Sequence, residues 1–187
     1  YDYLKGYVIA LKKGTTAEAF FYFNRIIDEA PKEEMEIMVL LAYTGMGILY
    51  ENIGEIQKAE YFFNKAITDV YRYPIKETHD IWRLLNIMYY CGSFYANIED
   101  YQTSDALLTH GVKICSDNHV TYYLARMTFQ LAKNAVAQNK DCYEIMDLYY
   151  STKAYAEINK NMIELKALED FKHELMENDA FSEIVLY

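Results

Sequence analysis

The sequence predicts an all-α protein, a right-handed helical-pair solenoid of about nine helices closed by a C-terminal capping helix. Three observations carry this. Apolar residues recur with a helical period in every long segment, and none alternates strictly over strand length. Phe23, Phe63, Leu108 and Tyr149 fall in equivalent contexts at spacings of 40, 45 and 41 residues. Helix start and stop signals lie between the periodic segments, where a pair of helices would turn.

Taken in order, the pattern predicts helices over about 1–13, 16–30, 33–53, 55–72, 77–98, 100–115, 118–139, 141–158 and 160–177. Thr15 with Glu18 forms a capping box before the second. Pro31 suits the first turn of the third, where its missing N–H removes no bond. Pro74 closes the helix that ends near Val70 to Arg72. Asp100 and Asp117 stand where a side-chain oxygen would cap the next helix. The last helix has no partner in the chain. Met162, Leu165, Leu168, Phe171 and Leu175 form its apolar stripe, which suits a cap over the open end of the core.

The clearest repeat copy runs from Tyr43 to Ala66, with Gly47, Tyr50, Gly54, Ala59 and Phe63 between them. Its order and spacing resemble a tetratricopeptide repeat, two antiparallel helices packed through small residues. Overlaying it on its neighbours aligns Tyr3, Gly14, Ala19 and Phe23 upstream. Downstream it aligns Gly92, Tyr95 and Ser104, then Phe129, Ile145 and Tyr149. The ordinary unit is about 34 residues, so the helices here are longer and the form is divergent. Repeat solenoids of this kind bind, through an extended concave surface, more often than they catalyse.

Composition bounds the rest. The 187 residues suffice for one domain spanning 1–187, and no Pro- or Gly-rich stretch marks a linker. The chain opens YDYLKGY, without an initiator Met and already in helical register, so a fragment of a longer protein is expected. The longest uncharged run, Leu84 to Ile98, has fifteen residues, too few to span a bilayer, so no membrane partner is expected. Cys91, Cys115 and Cys142 are odd in number and widely spaced, which fits a reducing, cytoplasmic compartment. The net charge of −10 opposes direct nucleic-acid binding. Residues 141–187 hold eleven Asp or Glu against four Lys. That acidity reads as a solubilising face, or as a surface for a basic partner or another subunit.

No chemistry is legible. His110, Cys115 and His119 are the only near neighbours among possible metal ligands, and they straddle a helix end without a second pair. No phosphate-loop motif and no nucleophile–His spacing stand out. The expectation is a protein that is not an enzyme and carries no cofactor and no metal.

The search for a ligand surface leads to residues 84–139, where only seven of 56 positions are charged. Such a stretch is either core or an apolar groove. Tyr89, Ser93 and Asn97, at i, i+4 and i+8, share one helix face turned away from Gly92 and Tyr95. Asn52 is the repeat equivalent of Asn97, and an Asn amide can hold a peptide unit through its N–H and C=O together. Asn134 and Gln138 follow on the next first helix. The candidate peptide-binding set is Asn52, Asn86, Tyr89, Tyr90, Ser93, Asn97, Met127, Gln130, Asn134 and Gln138.

On the repeat of Tyr43 to Ala66 and on Asn52 and Asn97, the chain resembles the C-terminal domain of the peptide-sensing regulators of Gram-positive bacteria, the Rgg/PlcR/ComR/Rap-type group. The resemblance implies a short secreted hydrophobic peptide on the concave face, held by Asn side chains. It further implies a cytoplasmic transcription regulator that homodimerises. DNA would be engaged only through an N-terminal helix-turn-helix domain that these residues do not include. The alternative is a constitutive interaction scaffold gripping a terminal carboxylate. For that, the first helices offer only Arg83, Arg126 and Lys133.

Overall fold

The computed structural model describes residues 16–30, 36–121 and 123–177. Among them are eight α-helices and no strand: α1 (Thr16–Glu29), α2 (Ile37–Asn52), α3 (Ile56–Val70), α4 (Thr78–Asn97), α5 (Tyr101–Asp117), α6 (Leu124–Ala137), α7 (Cys142–Ile158) and α8 (Met162–Glu177). Tyr3, Gly14, Thr15, Pro31 and the helix expected over 1–13 lie outside the described residues. The chain divides into two compact units, Tyr1–Cys91 and Gly92–Tyr187.

In the first unit α1, α2 and α3 pack in sequence. Ala19, Phe23, Ala59, Phe63 and Ala66 are fully buried, as the repeat alignment requires. A Cβ on Gly47 would stand 2.8 Å from three atoms of the Phe63 ring, so only hydrogen fits at that crossing. Gly45 meets Phe23 in the same way. Tyr50 stacks on Phe62 with ring centroids 5.4 Å apart, and Phe20 lies 4.9 Å from Tyr50. The repeat tyrosine is therefore a packing residue.

In the second unit Gly92 receives Leu108, and Ser104 replaces the alanine of Ala59. The buried Ser104 hydroxyl donates to the Gly92 carbonyl at 2.7 Å, so the small-residue contact gains a hydrogen bond. Leu168, Phe171 and Leu175 of α8 complete a core with Phe129, Ala132, Ala135, Ile145 and Tyr149. The capping stripe is thus buried over its C-terminal part. Met162, the first residue of α8, is 71% exposed and takes no part.

Helix ends follow one rule. Gly54, Glu99, His119, Asn139 and Lys160 all have positive φ, between 51° and 78°. Each precedes a residue whose N–H returns five positions: Glu55 to Tyr50, Asp100 to Tyr95, Val120 to Cys115, Lys140 to Ala135 and Asn161 to Ala156. This left-handed stop satisfies carbonyls that a helix end would leave unpaired.

One of the two expected caps fails for this reason. Asp117 does not cap a new helix: it closes α5 and pairs with Lys113, and the left-handed His119 then delays α6 to Leu124. Asp100 does cap α5, accepting from the Thr103 N–H at 3.1 Å.

Candidate functional site

The face of α4 that avoids the core is read directly from its burial. Ile81, Leu84, Leu85, Ile87, Met88, Cys91, Phe94 and Tyr95 are buried. Trp82 is exposed, Asn86, Tyr89, Tyr90 and Ser93 are half-buried, and Asn97 is exposed. Steps of four, three, four and four connect Trp82, Asn86, Tyr89, Ser93 and Asn97, so they form one stripe along the helix. None of them is charged. Tyr89 and Tyr90 meet edge to face at 5.1 Å.

The start of the helix is fixed by Asp80, which is buried. One carboxylate oxygen accepts from the Lys76 and Glu77 N–H groups at 3.0 and 3.1 Å, and the other from Arg83 at 3.2 Å. These bonds tie the preceding loop to the first turn and set the register of the stripe.

Ser93 stands out chemically. Its Oγ is buried and makes no hydrogen bond within the described residues. A helical serine ordinarily turns its hydroxyl back to the carbonyl four residues earlier. Leaving it unpaired costs about 1–3 kcal/mol. Trp82 was not among the candidates read from sequence, although its four-residue spacing from Asn86 was visible there.

The α6 candidates behave differently. Asn134 is buried, and its amide nitrogen donates to Ser104 Oγ and Asp105 Oδ1, both at 2.8 Å. Its Oδ1 accepts from Gln130 Nε2 at 2.9 Å. Gln138 donates to Asp105 Oδ2 at 3.0 Å and to the Asn134 carbonyl at 3.2 Å, and Lys140 reaches Asp105 at 3.3 Å. Gln130, Asn134 and Gln138 therefore come together as an internal clamp between α5 and α6. Met127 is fully buried. Neither it nor Asn134 presents a surface to a ligand. Burial, not a groove, accounts for much of the low charge in residues 84–139.

Asn52 and Asn97 are equivalent in structure as well as sequence. Each is the last residue of its helix, two positions before the left-handed Gly54 or Glu99, and each is exposed. Asn52 lies on α2 and Asn97 on α4, so their equivalence is one of repeat position.

The buried thiols are not nucleophiles. Burial drives Cys91 far above the ordinary thiol range despite a hydrogen bond with Thr44, and pushes Cys115 up to about 12. Burial also lowers His110 from its ordinary value, with Lys113 adding to the effect. Among the described residues no group of three or more His, Cys, Asp or Glu could hold a metal ion. Nor is any described helix long and apolar enough to cross a membrane.

No protein-family model matches the chain. No curated protein matches it either. Among solved structures it is similar to PlcR of Bacillus thuringiensis in complex with the peptide PapR7 and DNA, with a TM-score of 0.69 and 14% sequence identity. The match covers 89% of this chain and 57% of that one, so the chain spans little more than half the length of PlcR. The likeness establishes the tetratricopeptide-like, helical-pair fold.

Proposed function

We propose that this chain is the peptide-sensing domain of a transcription regulator, and that the ligand lies along the outward stripe of α4. The observation that carries the reading is the stripe itself: Trp82, Asn86, Tyr89, Ser93 and Asn97 combine aromatic area with amide and hydroxyl groups and no charge. Such a surface suits apolar side chains joined by backbone amides, because rings take the former and the Asn amides pair with the latter. The fold is that of a protein solved with a peptide and with DNA, which supports the same reading. Asn52 is retained as an outlying contact on α2, whereas Met127, Gln130, Asn134 and Gln138 act as core and clamp. A homodimer, cytoplasmic residence and DNA engagement through a further N-terminal domain belong to the proposal. Peptide binding would act by favouring one of two arrangements of the regulator.

The test is thermal denaturation of the chain against a panel of short hydrophobic peptides, with emission of its one tryptophan, Trp82, recorded in parallel. A peptide at ~100 Kd should stabilise by about 2.7 kcal/mol and shift Trp82 emission. Asn97→Ala and Tyr89→Ala should weaken that response without unfolding the chain. No stabilisation by any member of the panel, or stabilisation indifferent to both substitutions, would remove the basis of the proposal.

A further inference from the structure

A second surface lies on α7. Its inward face, Ile145, Tyr149, Thr152 and Ala156, is buried in the second unit. On the opposite side Tyr143, Asp147, Tyr150, Ala154 and Ile158 follow steps of four, three, four and four, and all are exposed. Tyr143 is 73% and Ile158 66% exposed. Four of these five side chains are apolar, so a helix of 17 residues shows water a nearly continuous hydrophobic stripe. Scattered exposed apolar residues need no explanation, but an aligned row marks a contact surface.

The charges around the stripe indicate what would cover it. Glu144, already paired with Lys140 at 3.1 Å, and Glu157 flank it, and Asp147 sits within it. Any helix laid on this face removes Asp147 from water, and an unpaired buried carboxylate is costly. A second copy of α7 would bring the same three carboxylates against its own, with Lys153 as the lone basic residue on the helix. A basic helix supplies a cation for Asp147. We infer that the outer face of α7 is a docking surface for a basic amphipathic helix of a partner protein, its apolar side on Tyr143, Tyr150 and Ile158 and a Lys or Arg on Asp147.

The experiment measures anisotropy of three labelled synthetic peptides against the intact chain. One is a Leu/Lys peptide with helical amphipathic spacing, one a Leu/Lys peptide of the same composition without that spacing, and one an amphipathic Leu/Glu peptide. The first should bind at least tenfold more tightly than either other. The double substitution Tyr143→Ser with Ile158→Ser, and separately Asp147→Lys, should each weaken it at least tenfold while the thermal melt stays unchanged. Equal binding of the two Leu/Lys peptides, or indifference to both variants, would overturn the proposal as nonspecific charge attraction. Concentration-dependent dimerisation abolished by Tyr143→Ser would overturn it in favour of a second copy. Because the variants lie on α7, failure here leaves the α4 proposal untouched, and the reverse also holds.

Discussion

Ser93 and Gly47 make opposite predictions from the same kind of observation, the fit of one small residue. Ser93→Ala deletes a hydroxyl that is buried and unpaired. Urea denaturation should therefore show a gain in stability of up to about 1–3 kcal/mol. A serine bonded inside the helix would give no such gain. Gly47→Ala should lose about 1–3 kcal/mol by overpacking, since the added methyl meets the buried Phe63 ring. Gly92→Ala should lose a similar amount in the same assay, because its added methyl meets the Cγ of the buried Leu108 at 2.8 Å. No loss at either position would contradict this account of the crossings. At this scale the sequence was a good guide to packing and a poor one to polar groups. Gly47 and Phe63 announce their contact through spacing. Nothing in the local sequence tells that Asn134 is spent on Ser104 and Asp105, thirty and twenty-nine residues away.

Five helices end through the same left-handed stop, yet only Gly54 uses the residue that adopts it without strain. Glu99, at φ 63°, bears a Cβ penalty of about 1–2 kcal/mol, partly offset by the greater freedom glycine has when unfolded. Glu99→Gly should raise stability by up to about 1 kcal/mol, seen as a higher urea midpoint at unchanged slope. A lower midpoint would mean that the Glu99 side chain contributes more than its strain costs. Among the described residues, the number and order of helices were legible because apolar period and burial agree. Their boundaries failed where a non-glycine residue took the left-handed role: His119 gives no warning in sequence, so α6 was expected six residues too early. The α4 stripe was half legible. Tyr89, Ser93 and Asn97 follow from register, whereas Trp82 precedes the charge-poor run that starts at Leu84 and carries no such compositional signal.

At the scale of the molecule, the chain keeps the fold of PlcR at 14% identity, as expected if fold resides in spacing of small and large residues more than in their identities. Charge is distributed by role: α4 presents an uncharged stripe, whereas α7 and the residues after it are acidic. Those two surfaces suit ligands of different chemistry, an apolar peptide and a basic helix. The central claim is that the peptide lies on α4. It is tested most directly by photo-cross-linking, with the most stabilising peptide of the panel resynthesised to carry benzoylphenylalanine and its adducts mapped by mass spectrometry. Adducts concentrated between Trp82 and Asn97, and lost on Tyr89→Ala, are the predicted result. Adducts confined to α1, α3 or α7, with α4 unmarked, would contradict it.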